Sequence, residues 1–271
     1  MTDRIRDLVF NSEITDAEKY YWGYMYDLGR ITIVPYLTQK GIYKTGDSVV
    51  EIGSAEGGVL HAFADKGAVD CLGTDIAESR LEKGRIITNI AGLNVDFVYN
   101  DIIYGEPEKK WYNKYDLAIL RDVIEHLDDT AIALKNISKV IKPGGYLFVT
   151  FPPYNSPYGG HQHTLAGRLP SRLPYIHHLP VSLFKKLISS GRPQDIEEVE
   201  RLINIQLSPE KFLKAAISAD YEIISTDYYL LRPVFKMKFG LPTLKINLPA
   251  KLPFIRNYFC MEAAYILRKK S

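Results

Sequence analysis

An open α/β fold, with a mostly parallel sheet flanked by helices, is predicted by three observations. Between Ser48 and Phe151 short apolar strands alternate with helical stretches, the pattern of parallel strands joined by right-handed crossovers. The run Val49-Val50-Glu51-Ile52-Gly53-Ser54-Ala55-Glu56-Gly57-Gly58 reads as a buried strand that breaks into a small-residue turn and then starts a helix. An acidic residue, Asp75, ends the next strand, at the point where open α/β sheets place an acceptor for a ligand hydroxyl pair.

Taken in order, residues 1–44 form an N-terminal helical segment. From Thr15 to about Lys40 it is unusually aromatic, with Tyr20, Tyr21, Trp22, Tyr24, Tyr26 and Tyr36 at mixed spacing. Such residues either pack a helix onto the sheet or form a lid over a ligand. Residues 45–151 form the core, with strands expected at 48–52, 70–75, 94–99, 115–120 and 146–151. Helices are expected near 58–66, 77–91 and 129–141, while Gly105 and Pro107 make 102–114 irregular. Lys142-Pro143-Gly144-Gly145 reads as a turn, because proline cannot continue a helix and glycine tolerates positive φ.

Residues 152–207 depart from this rhythm. Pro152, Pro153, Pro157, Pro170, Pro174 and Pro180 punctuate the first half, and short amphipathic helices follow near 181–189 and 194–204. A long insertion after a strand's carboxyl end with periodic apolar residues (Leu183, Phe184, Leu187, Ile188) predicts a helical cap. Residues 208–271 complete the sheet. Ser208-Pro209-Glu210 starts a helix with serine as N-cap, and strands follow at about 221–231 and 258–267. Between them, Arg232 to Asn257 reads as a proline-broken, basic and apolar loop.

Composition narrows the function classes. Among 271 residues, 34 Lys and Arg face 32 Asp and Glu, so the net charge of +2 gives no nucleic-acid signature. Cys71 and Cys260 lack metal-ligand spacing and read as packing thiols of a reducing compartment. The charged start Thr2-Asp3-Arg4-Ile5-Arg6-Asp7, with no long apolar stretch after it, predicts neither a secretory signal nor a membrane span, and cytoplasm is the expected location.

Four stretches, in order and spacing, carry a resemblance. They are Glu51-Ile52-Gly53-Ser54-Ala55-Glu56-Gly57, Gly73-Thr74-Asp75, Asn100-Asp101-Ile102 and Arg121-Asp122-Val123-Ile124-Glu125-His126-Leu127, and Lys142-Pro143-Gly144-Gly145 adds a fifth match. Together they resemble the class I S-adenosylmethionine-dependent methyltransferases, well over 45–151 and loosely elsewhere. The resemblance implies a Rossmann-like, seven-stranded, mostly parallel sheet whose last strand is antiparallel, and S-adenosyl-L-methionine as cofactor. It implies that Glu51 orders the turn and that the backbone near Gly53, Ser54, Ala55 and Gly57 receives the methionine portion. Asp75 would bind the ribose, Ile76 would pack on the adenine, Asp101 would accept from the adenine amino group, and Ile102 would offer an amide. Arg121 and Asp122 would lie beside the sulfonium. Ala55 departs from the family pattern, which has glycine there.

A nicotinamide-dependent oxidoreductase shares the first turn and the acidic residue, but G-x-G-x-x-G is not matched from Gly53, where the third position is Ala55. A non-catalytic binding protein on the same fold is the other rival. For catalysis the expected reaction is O-methylation of a small-molecule acceptor, such as a sugar or lipid-linked metabolite. His161 and His163, in Gly159-Gly160-His161-Gln162-His163 after the fifth strand, are the candidate bases, because imidazole titrates near neutral pH. His126 is either a third candidate or a brace for its helix. No metal is expected: an H-x-H site supported by His177 and His178 has no carboxylate or cysteine at ligand spacing. Residues 233–256 interleave apolar residues with Lys236, Lys238, Lys245, Lys251 and Arg256 and contain no acid, so they suit either an inter-strand loop or peripheral contact with an anionic membrane surface, which would be the inner one.

Overall fold

A computed structural model of the protein describes residues 3–161, 172–189 and 193–270. The chain opens with α1 (Arg4–Phe10) and α2 (Asp16–Leu28), which runs through one π turn (Gly29–Ile33) into α3 (Val34–Gln39). Thr15 caps α2 by accepting the Glu18 amide, while the Glu18 carboxylate accepts the Thr15 amide, so two amides of the first turn are satisfied reciprocally. Then β1 (Ser48–Ile52), α4 (Gly58–Asp65), β2 (Asp70–Asp75), α5 (Glu78–Ala91), β3 (Val95–Tyr99), β4 (Tyr115–Arg121), α6 (Thr130–Val140) and β5 (Ile141–Phe151) alternate as expected.

In the described residues the sheet has eight strands in the order β3-β2-β1-β4-β5-β8-β6-β7, with β6 (Tyr221–Leu231), β7 (Leu244–Lys245) and β8 (Glu262–Lys269) added after the cap region. Strands β1 to β5 pair in parallel, and β8 lies antiparallel between β5 and β6. Seven strands were expected; the eighth is the two-residue β7, which the Arg232–Asn257 segment lays on the outer edge of β6. That segment is also not a plain loop. It carries α10 (Pro233–Phe239) and α11 (Pro253–Tyr258), each with proline in its first turn, where the missing N–H costs nothing. Pro233 and Pro253 start helices rather than break them. The expected turn at Lys142–Gly145 is instead a bulge inside β5: Tyr115 pairs with Ile141 and Leu117 with Tyr146, so Asp116 alone faces four residues.

Helices cover both faces. On one, α2 and α4 bury Trp22, Tyr26, Val59, Leu60 and Phe63 against Val49, Leu117 and Ile119. On the other, α6 and α9 (Pro209–Ser218) bury Leu134, Ile137 and Phe212 against Val50, Ala118 and Phe151. Each valine, leucine, isoleucine or phenylalanine among them contributes roughly 1.5–3 kcal/mol by leaving water. The cap helices α7 (Val181–Ile188) and α8 (Pro193–Ile205) pair through their own small cluster of Phe184, Ile188 and Val199. Among the described residues no helix is long and apolar enough to cross a membrane.

Candidate active site

Strand order reverses between β1 and β4, and at such a switch point the two outgoing connections leave to opposite sides and open a crevice at the strands' carboxyl ends. A cavity of about 1120 Å³ lies there. Its wall includes Glu51 near the end of β1 with Gly53, Ser54 and Ala55 after it, Asp75 ending β2 with Ile76 after it, Asp101 and Ile102 after β3, and Arg121 ending β4 with Asp122 and His126 after it, and His161 from the segment that follows β5. Sequence separation is therefore no obstacle: parallel strands deliver all of these residues to one edge. His163 lies outside the described residues. Gly57 is absent from the wall. It stands behind it as the N-cap of α4 at φ +75°, where a Cβ would come within 2.4 Å of Phe97. Gly53, at φ +69°, has the same double requirement, since a Cβ would meet Val123 at 2.4 Å.

The turn is held by acids. Glu51 is buried and accepts the Leu60 amide (3.1 Å), which ties the strand end to the first turn of α4. Burial pushes its carboxyl up to about 8, against the opposing pull of Arg121 and the Leu60 amide. Asp75 accepts the Ala55 amide on one oxygen and the Ala77 amide on the other, both at 2.9 Å. Asp101 uses Oδ1 for the Ile103 and Tyr104 amides. Ile76 is 61 % exposed, an apolar side chain laid open beside the turn. Ala55, Asp122 and His161 all have left-handed backbone (φ 49°, 53° and 53°), a strained conformation that tends to collect at functional sites.

Deeper in the cavity, Asp122 sits between two guanidinium groups. Arg121 Nη1 donates to it at 2.6 Å and Arg232 Nη2 at 2.7 Å, while Arg232 Nε donates to Glu262 at 2.9 Å. Burial alone would raise the Asp122 carboxyl, but Arg232 and Arg121 outweigh it and hold it well below the usual carboxylate range. Arg121 also donates to Met25 Sδ, and with Tyr21 and Tyr24 this brings α2 to the wall. The aromatic segment packs onto the core through Trp22 and Tyr26, and Tyr21, Trp22, Tyr24 and Met25 line the cavity.

At the cap side, His126 Nδ1 is hydrogen-bonded to Glu198 of α8, and Arg201 one turn on grips Asp128 with two hydrogen bonds of 2.9 and 3.0 Å. Burial works against a charged His126, but Glu198 and Glu125 raise its pKa. His161 stacks edge-on against His126 with ring centroids 4.7 Å apart. His177 and His178 belong to a separate turn, where His177 is buried against Tyr154. Glu198, Arg232 and Glu262 were not foreseen. Glu198 is one of several charges on an amphipathic helix, Arg232 stands between β6 and α10, and Glu262 opens β8; the partner of each comes from a distant part of the chain.

This geometry sits within a recognisable sequence family: residues 26–186, more than half of the chain, match the family model described as a methyltransferase domain. The chain belongs to that family. Its class I members use S-adenosylmethionine, and the wall suits that group. Asp75 retains lone pairs for a hydroxyl pair, Ile76 offers an apolar face, and Ser54 Oγ and Glu56 Oε2 are buried polar atoms without hydrogen-bond partners among the described residues. Curated relatives include a ubiquinone biosynthesis O-methyltransferase of Coxiella burnetii, 29% identical over 132 residues, which are 49% of this chain and 53% of that one. The chain thus spans about half the length of the curated relatives it matches. Among solved structures, a methyltransferase of Thermotoga maritima described as a possible histamine N-methyltransferase aligns with 99% of this chain and 98% of its own at TM-score 0.56 and 16% identity. A [4+2]-cyclase aligns with 89% of this chain and 80% of its own at TM-score 0.54 and 16% identity, so the fold by itself does not fix the reaction. Family membership does decide against the nicotinamide-dependent oxidoreductase.

Proposed function

We propose that the chain transfers a methyl group from S-adenosylmethionine to an oxygen of a small-molecule acceptor. The observation that carries this reading is one continuous cavity with two chemically distinct ends: the β1 turn with Asp75, Ile76 and Asp101, and the imidazole pair of His126 and His161. About 1120 Å³ exceeds what a single small ligand fills, so donor and acceptor fit side by side. The resemblance of this chain to O-methyltransferases of ubiquinone biosynthesis supports oxygen as the acceptor atom.

In this reading Glu51 and the turn 53–57 hold the methionine end, Asp75 takes the ribose, Ile76 packs on the adenine, and Asp101 with its remaining oxygen and Ile102 with its amide read the adenine edge. Arg121 and Asp122 shape the sulfonium end. The bound cofactor supplies an activated methyl group. The protein's part is to align the acceptor with the sulfur–methyl bond, exclude water, and take the hydroxyl proton at His161, His126 or His163. Calorimetric titration tests the donor half: S-adenosylmethionine should bind, and Asp75→Ala should lose roughly 1.5–3 kcal/mol, about 10- to 150-fold in Kd. No binding at millimolar cofactor would overturn the assignment. Release of S-adenosylhomocysteine in an acceptor screen tests the other half and separates an enzyme from a binding protein.

A second feature bears on the acceptor. Val234, Phe235, Lys238 and Phe239 of α10 reach the cavity wall, and beyond them the segment exposes Leu248 (75 %) and Phe254 (62 %) among cations. This arrangement favours peripheral contact with an anionic membrane surface and a lipid-linked acceptor.

A further inference from the structure

Glu125 is buried to 3 % exposure at the wall of the cavity, and neither carboxylate oxygen has a hydrogen-bond partner among the described residues. A buried carboxylate left in this way is costly, and such groups are usually paired or bound to a metal. What surrounds it is ordered. Oε1 stands 3.7 Å from His126 Nε2 and 3.8 Å from His161 Nε2, too far for hydrogen bonds, and ligand atoms of the three residues all lie within 4.8 Å of one another. Donors held at about 2.1 Å around one ion in tetrahedral geometry are about 3.4 Å apart, close to this spacing. The outer nitrogen of His126, Nδ1, is already occupied by the Glu198 carboxylate, which places the ring proton there and leaves the Nε2 lone pair facing Glu125. A carboxylate behind an imidazole whose other nitrogen points at a second carboxylate and a second imidazole is the arrangement of a metal-binding histidine.

We propose that Glu125, His126 and His161 bind a divalent transition-metal ion at the acceptor end of the cavity, with Glu198 orienting His126. Two imidazoles and one carboxylate suit ions of intermediate softness such as Zn²⁺, Co²⁺ or Fe²⁺. Three protein donors leave coordination positions open toward the cavity. The role of the ion rests on the methyltransferase reading and deepens it, because it selects acceptors whose oxygen can ligate a metal. The ligated O–H bond breaks with its electron pair kept on oxygen, the proton passes to solvent, and the ion's oxidation state is unchanged. The imidazoles then act as ligands, and lowering of the hydroxyl pKa by the ion replaces direct proton capture by histidine. Sequence spacing gave no hint of this site, since the fold supplies His161 from the far side of β5.

The full chain, without a histidine tag and stripped with a chelator, is titrated with Co²⁺ alone, followed by visible absorption, and then with competing Zn²⁺. One equivalent of Co²⁺ should bind and be displaced by Zn²⁺. Glu125→Gln and His161→Ala should each weaken binding at least tenfold, and Glu198→Gln about 10- to 100-fold. S-adenosylhomocysteine binding in the same variants should be unchanged, which shows them folded. Absence of saturable one-equivalent binding of Co²⁺ or Zn²⁺ to the unmutated chain, or equal affinity in Glu125→Gln and His161→Ala, would overturn the proposal. The two readings part cleanly: loss of the ion with S-adenosylhomocysteine binding intact removes only the metal site, whereas ion binding without S-adenosylhomocysteine binding keeps the metal site and removes the methyltransferase reading.

Discussion

Ala55 occupies a backbone conformation that usually belongs to glycine, and two residues before it Gly53 adds to such a φ a contact with Val123 that leaves no room for a Cβ. At φ 49° the alanine methyl costs about 1–2 kcal/mol, yet the site is built around its amide, which donates to Asp75. The two positions should therefore respond with opposite sign. Ala55→Gly relieves the left-handed penalty but gives the unfolded chain about 0.4–1 kcal/mol of entropy, so its stability in urea should match or exceed that of the parent by up to about 1 kcal/mol. Gly53→Ala adds a methyl 2.4 Å from Val123 at φ +69° and should lose about 2 kcal/mol or more, with cofactor binding lost alongside. A stabilised Gly53→Ala would contradict the close approach described here. At this scale much of the cavity wall was legible, because Glu51, Gly53 and Asp75 stand at strand ends that can be read from apolar runs and turns, and Asp101 and Asp122 lie in stretches that carry the methyltransferase resemblance. Glu198, Arg232 and Glu262 were not. Their partners are chosen by the tertiary fold, and neither period nor neighbour marks them.

At the scale of elements, the junction of α2 and α4 turns on one ring. His61 is fully buried, accepts the Trp22 indole N–H on Nδ1 at 3.0 Å and contacts Thr88 Oγ1 through Nε2 at 2.7 Å, so its neutral form is built into the packing. Burial lowers its pKa to about 3. The unfolded chain takes up this proton below about pH 6.5, whereas the folded chain refuses it until about pH 3. The stabilisation is thus complete above pH 6.5 and is lost with falling pH at about 1.4 kcal/mol per unit. Glu51 works in the opposite direction, its raised carboxyl favouring the fold below about 4.5 and progressively less as pH rises toward 8. Comparison with His61→Gln isolates the histidine: urea stability between pH 7 and 4 should fall less steeply in the variant, by one proton. Parallel slopes would show that His61 titrates normally. Elements were legible where pattern and cap agreed, as at Ser208 for α9. They were misread where proline carries two meanings, as in α10 and α11, and where Lys142–Gly145 bulges within a strand instead of turning the chain.

For the whole molecule, the position of the 233–256 segment links the cavity to the outer surface. Its exposed leucines and phenylalanines stand among Lys236 and Lys251 with no acid in the run, so in the proposed membrane contact attraction to anionic headgroups and burial of apolar side chains would act together. The protein should sediment with anionic vesicles at low salt and release as ionic strength shortens the screening length from about 10 Å at 0.1 M toward about 3 Å at 1 M. The double variant Leu252→Glu/Phe254→Glu should bind less while keeping cofactor affinity. Equal failure to bind neutral and anionic vesicles at low salt would remove the membrane contact and favour a freely diffusing acceptor.

The placing of β8 between β5 and β6 has a consequence for the order of assembly. As the chain is synthesised, β5 emerges more than a hundred residues before the strand that pairs with its outer edge, and β6 emerges before the partner that separates it from β5. Until residues 262–269 arrive, both edges are bare templates for pairing with each other or with another nascent chain. The same late strand brings Glu262 to Arg232, and so completes the charge network around Asp122. Sheet closure and assembly of this charge network at the cavity are therefore one event, and a ribosome-bound chain stopped short of β8 has neither.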